Sequence, residues 1–423
     1  MRQILLVTVL LAASAALAQP AASDAVILQN RAADVVLVLQ GKLPAEKVFE
    51  PGFLKEIPVA KIAELEASLE DQFGPLQSAE ALVQTGPAAA SFKLRFAKGL
   101  ATVLMRIEPD APNRVIALRI TNVVTLGDTP QRIAADFAAL PGQAGFAVIQ
   151  LTPQGPQTVF SQKPAQQFAV GSTFKLYVLD ALAEDVARGK RKWSDVVPLG
   201  RPSLPSGSTR NWPRGAPITL STLATLMISE SDNTATDTLI TLLGRDAIAA
   251  RVRATGHSDP ARILPFLSTL EAFALKAGPA AEARAYAASG DAQQTAQLVK
   301  LDRTLDAAKV DATVFSQGTP VRIDSIEWFA SANDLAGVLQ SLQRRKDPQV
   351  MAILAVNPAI DPSDFAKVGF KGGSEPGVLN LTWLVQNKAG NWYVVTASWN
   401  DLEKDVDQPR FLALGNRLLA QIK

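Results

Sequence analysis

The amino-acid sequence predicts two folded units: a small α+β domain, then a larger α/β domain in which sheet material brackets helical material. Three observations carry this. At 423 residues the chain exceeds what one core usually organises, roughly 100–200 residues. In the first third, helical periodicity gives way to alternating strands. In the remainder, strand pairs at both ends bracket a mostly helical stretch. Hydrophobic residues at 48% and charged ones at 19% supply apolar surface for large cores and exclude disorder as the main state.

Residues 1–18 read as a cleaved export signal. Arg2 gives a positive start, residues 4–18 are almost wholly apolar, and Ala16-Leu17-Ala18 places small residues where a signal peptidase cuts. As a membrane anchor the run is short, rising about 22 Å against a hydrocarbon core of ~30 Å. No Cys follows it to carry a lipid. A periplasmic or secreted protein is expected, with no membrane anchor after cleavage. Residues 19–138 form the first domain. Ser23 is placed to cap a helix over 25–39, and Ile62, Leu65 and Leu69 set a second helix at 59–73, stopped by Gly74-Pro75. Strands follow at 91–96, 101–107 and 114–120, with Phe92, Leu94 and Phe96 alternating. In element order alone this resembles the nuclear-transport-factor-like domains. The segment has no acid, base or ligand cluster, which favours packing or docking over a second active site.

The second domain, 139–423, opens near Pro141-Gly142. Strands at 146–151 and 157–160 flank Pro153-Gln154-Gly155, and a long apolar helix begins near Ser172. Helical pieces follow at 219–226, 246–254 and 332–342, with an Ala/Gln-rich helical insertion at 278–306. Strands at 378–386 and 392–399 pair around residues 387–391, and a helix over 409–422 closes the chain.

Composition narrows the chemistry. The net charge is +2, so no single-sign field holds a polyanion, and nucleic acid is not an expected partner. Zero Cys and one His exclude thiolate catalysis and leave no imidazole cluster for a metal. Neither metal nor cofactor is expected. His257, between Gly256 and Ser258, reads as a surface loop residue. A chain with one His builds at most one Ser-His-Asp triad, and a lysine is the available alternative base for an activated serine.

Val170-Gly171-Ser172-Thr173-Phe174-Lys175 offers one. Residues three apart share a helical face, so Ser172 and Lys175 can touch. Lys175 accepts a proton at neutral pH only if its pKa falls by about three units, which burial and a second cation can impose. About one such S-x-x-K pair arises by chance here. Ser231-Asp232-Asn233 occurs once in the chain, on a helical segment. Lys371-Gly372-Gly373-Ser374 opens the carboxy-terminal strands as a Lys-x-Gly.

In this order the three motifs resemble those of the serine β-lactamases and penicillin-binding proteins, most nearly class A β-lactamases, over about 140–423. The resemblance implies the α/β three-layer β-lactamase/transpeptidase-like fold for this domain, an antiparallel sheet plus a helical subdomain. It implies Ser172 as nucleophile, Lys175 as an aid to its deprotonation and Ser231 as a proton relay to the leaving nitrogen. Asn233 would hold a substrate amide, and Lys371 would attract a carboxylate and depress Lys175. Gly373 and Ser374 would complete the substrate site, the amides of Ser172 and Ser374 forming an oxyanion hole. Asp232 would be structural. Two departures stand out. Gly372 replaces the family's Thr or Ser, and the E-x-x-L-N pattern that carries the deacylating Glu is absent, leaving Glu271 as candidate. The implied substrate is a small-molecule β-lactam or a peptidoglycan-like compound, the implied protein a monomer. With a working base the enzyme is a β-lactamase. Without one it is a D-alanyl-D-alanine peptidase or an esterase of the same fold. A β-lactam-sensing or wall-binding module, acylated once, is a further alternative.

Overall fold

The computed structural model describes residues 23–423, so the expected export signal lies outside the described residues. Two compact units divide at Leu126/Gly127. In the first, helices Asp24–Leu39, Pro51–Glu56 and Val59–Phe73 precede a four-stranded antiparallel meander, Leu76–Gly86, Ala89–Phe96, Gly99–Ile107 and Val115–Thr125. The alternation of Phe92, Leu94 and Phe96 buries all three, as a one-faced sheet requires. The strand 76–86 was not anticipated.

The second unit starts at Gly127 rather than at 139. Its first helix, Pro130–Ala138, is capped by Thr129 and buries Ile133 and Phe137 in the same cluster as Phe146 and Phe411. Arg417 of the closing helix Gln408–Ala420 bonds Asp128 at 2.7 Å and Asp136 at 2.6 Å. The central sheet is antiparallel, in the order Lys367–Glu375, Val378–Gln386, Trp392–Asn400, Gln143–Thr152, Gly155–Gln162.

Side chains alternate across this sheet. Leu379, Leu381, Trp383 and Val385 meet the two terminal helices, and Leu384 and Val394 join the core of the helical subdomain on the other face. Helix, sheet and helical subdomain are thus the three layers expected. At the centre of the helical layer runs Lys175–Ala187, buried along most of its length. Its fully buried Asp180 is compensated by Arg251 at 2.7 Å, Arg345 at 3.1 Å and Ser341 Oγ at 2.7 Å, the pairing a buried charge needs. The segment 278–306 forms helices Ala280–Ala287 and Asp291–Asp302. Among the described residues no helix is long and apolar enough to cross a membrane.

Candidate active site

Phe168–Ala169 pairs with Phe329–Ala330 and delivers the chain into a tight 3-10 turn, Gly171–Phe174, with the α-helix starting at Lys175. The turn is fixed on all sides. Gly171 has φ +47°, in the left-handed region that favours glycine. A Cβ on Gly373 would sit 2.0 Å from Val170 O and 2.6 Å from Ser172 N, so only glycine lets the strand back onto the turn. Thr173 Oγ1 donates to Asn380 Oδ1 at 2.8 Å, Thr382 Oγ1 donates to the same oxygen, and Asn380 Nδ2 donates to Ser398 Oγ. Phe174 stacks on Trp328 with ring centroids 3.8 Å apart. Ser172 is left half-buried on a cavity that it shares with Asn233 and Ser374.

Lys175 is fully buried and reaches across to the second motif. Its Nζ lies 2.6 Å from Ser231 O, 3.0 Å from Ser231 Oγ and 2.7 Å from Asn233 Oδ1. The Asn233 amide orientation is fixed by chemistry, because Nδ2 donates to two carbonyls, Leu204 O and Pro205 O. Asn233 therefore has no N–H left for a substrate, and Oδ1 alone remains as an acceptor. Lys371 Nζ donates to Ser231 Oγ at 3.1 Å and to Gly372 O. Ser231 thus stands between two amines.

Burial drives both amines toward neutrality. Lys175 is held well below the ordinary lysine range, first by burial and then by the Lys371 charge, with Asp237 and Asp232 opposing. Burial brings Lys371 down to about 7. Ser231 itself has φ +57°, a conformation that costs a non-glycine residue roughly 1 kcal/mol or more. The cost is offset where its carbonyl accepts from Lys175 and from Ser206 Oγ at 2.6 Å. Asp232 caps the helix Asn233–Leu243 and accepts from Thr209 N and Oγ1.

Several expectations need correction. Among the described residues no hydrogen bond joins Ser172 to Lys175: the amine turns to Ser231 and Asn233, and Ser172 faces the cavity. Glu271 is not brought to that cavity. It is the third residue of the helix Thr269–Ala277, where Oε2 accepts from Ser268 N and Oγ in a capping box and Oε1 pairs with Arg245. His257 is buried, not on the surface. Its Nδ1 accepts from Asp259 N, which makes Nε2 the donor to Phe329 O at 2.9 Å. Gly372 also has a physical reason, since a Cβ there would meet the Phe370 ring at 2.8 Å and Asn380 O at 3.2 Å.

Sequence reading missed Lys276, Glu327 and Glu375, which line the same cavity as Ser172. They lie on three separate segments and carry no local pattern. Among the described residues no cluster of His, Asp or Glu is arranged to hold a metal ion.

A family model described as the beta-lactamase enzyme family matches residues 129–418. Among solved structures, the chain is similar to a beta-lactamase from Sphaerobacter thermophilus DSM 20745, at 22% identity over 69% of this chain and 95% of that one, with a TM-score of 0.47. It is also similar to an ancestral class A beta-lactamase, at 19% identity over 70% and 99%, TM-score 0.49. A third similar structure is PBP-A, at 18% identity over 70% and 96%, TM-score 0.47. No curated protein matches the chain.

Proposed function

The chain belongs to the beta-lactamase enzyme family, and from that premise we propose that it is an exported serine hydrolase that opens β-lactam rings through an acyl-serine intermediate. The observation that carries this reading is Lys175, a fully buried amine tied to Ser231 and Asn233 beside the cavity of Ser172. A neutral amine has two N–H donors. Ser231 O and Asn233 Oδ1 are pure acceptors and take both, which leaves the nitrogen lone pair for a hydroxyl, that of Ser231 at 3.0 Å until Ser172 replaces it.

In this reading substrate binding turns Ser172 Oγ to that lone pair, as catalytic hydrogen bonds often tighten only in the complex. Oγ attacks the lactam carbonyl while its proton passes to Lys175. The amides of Ser172 and Ser374 hold the oxyanion. When the C–N bond breaks, the proton reaches the leaving nitrogen through Ser231 Oγ, 3.0 Å from Lys175 and 3.1 Å from Lys371. Lys371 attracts the substrate carboxylate. Gly373 keeps strand and turn in contact.

Glu271, spent in its helix cap, favours a second reading in which water is activated poorly and the acyl-enzyme persists. The protein is then a penicillin-binding D-alanyl-D-alanine peptidase or an esterase of the same fold. The first unit, with its three helices and meander, is read as a packing or docking domain. Turnover of a chromogenic cephalosporin by wild type and Ser172→Ala separates the readings. Sustained turnover lost in the variant supports hydrolysis, a single stoichiometric burst supports the slow enzyme, and equal activity in both proteins removes Ser172 from the reaction.

A further inference from the structure

One wall of the Ser172 cavity carries three ionisable side chains that the chemistry above does not use. Lys276 Nζ donates to Glu327 Oε1 at 2.6 Å and to Glu375 Oε1. Glu327 Oε2 also accepts from Trp328 N at 2.9 Å. All three residues line the cavity, yet they face it unequally. Side-chain exposure is 1% for Lys276, 2% for Glu327 and 13% for Glu375, so Glu375 is the member a ligand meets. Two carboxyls against one ammonium leave one negative charge without compensation. Burial and then Glu327 push Glu375 well above the usual carboxylate range, so a cation brought beside it would take the place of a bound proton.

The strand Lys367–Glu375 sets the geometry. Lys371, Gly373 and Glu375 are alternate residues and share one face. Gly373 backs onto the amide of Ser172, with Lys371 two residues to one side and Glu375 two residues to the other. Four residues of strand separate the Lys371 and Glu375 backbones by about 13 Å. The nucleophile therefore stands between a cationic end and an acidic end.

We propose that Glu375 is a specificity-determining residue, selecting acyl donors that bear a protonated amine on the acyl side of the scissile carbonyl, opposite an anionic group held at Lys371. The proposal rests on the acyl-serine reading and names the substrate class of that site. When such a donor binds, its ammonium takes the hydrogen bonds of the Glu375 carboxylate and the bound proton leaves to solvent. A des-amino donor gains nothing there.

The test compares benzylpenicillin with its α-amino derivative, measuring acylation rates by intact mass for wild type and Glu375→Gln. The wild type is expected to react at least about tenfold faster with the amino compound. Glu375→Gln keeps the shape and loses the charge, and should bring the ratio near one, chiefly by slowing the amino compound. Equal wild-type rates, or a preference that survives in Glu375→Gln, overturn the proposal. If the variant does not fold, the wild-type ratio decides: a value at or below one overturns it and tenfold supports it. Acylation of wild type by both compounds without preference refutes the role of Glu375 alone, whereas neither adduct nor hydrolysis with either compound defeats the acyl-serine reading and this proposal with it.

Discussion

Replacing Lys371 by Met probes the energetics on which the site depends, independently of any substrate. Burial brings this amine down to about 7 from an ordinary 10.5. Between those two pH values the unfolded chain binds more protons than the folded one, so stability rises with pH, by at most about 1.4 kcal/mol per pH unit. Integrated from pH 7 to pH 9.5, the Lys371 contribution is about 3 kcal/mol. The variant should lack this rise and keep only the contribution of Lys175, which loses the Lys371 charge but stays held below the ordinary range by burial. At pH 7 the Met variant should be the more stable protein by roughly 2 kcal/mol. Its relief from burying a charge exceeds the loss of the donor to Ser231 Oγ and Gly372 O. Urea unfolding followed by tryptophan fluorescence measures this directly, because all six tryptophans lie beyond residue 192 and report only on the second unit. Equal pH slopes in the two proteins would refute the argument.

Three further outcomes follow from the geometry. Lys175→Arg keeps a cation that cannot be deprotonated and should slow acylation about 10²–10⁴-fold, so a near-normal rate in stopped-flow measurements would exclude the amine as proton acceptor. Gly373→Ala places a Cβ 2.0 Å from Val170 O and should cost about 3 kcal/mol or more in urea unfolding while abolishing acylation, which an unperturbed variant would contradict. Glu271→Gln loosens a capping box and the pair with Arg245, for about 1–2 kcal/mol of stability. The lifetime of the acyl adduct should not change, and accumulation of adduct in this variant would return Glu271 to the mechanism.

The site was legible where its chemistry is local. Ser172 and Lys175, Ser231 and Asn233, and Lys371 and Gly373 are each pairs a few residues apart, and the three-layer core brings the three segments together. What failed was context. Ser268-Thr269-Leu270-Glu271 spells a capping box, a signal sufficient to assign Glu271 to its own helix rather than to the reaction. The triad of Lys276, Glu327 and Glu375 is assembled only by folding. His257 has polar neighbours in sequence, yet its ring packs 5.9 Å from that of Tyr177. In the first unit, the strand Leu76–Gly86 is an edge strand of irregular register whose only buried residue is Leu76, so the alternation that marked its neighbours is missing. The domain boundary moved for a similar reason: the apolar face of Pro130–Ala138 fits the second core, which no local pattern encodes.

The most direct measurement is the mass of the intact protein after brief exposure to a penicillin, followed by peptide mapping of the product. The account predicts a single adduct equal in mass to the whole antibiotic, since ring opening expels nothing, located on Ser172 and absent from Ser172→Ala. A wild-type protein that is neither modified by penicillins and cephalosporins nor able to hydrolyse them, or an adduct on any other residue, would contradict it.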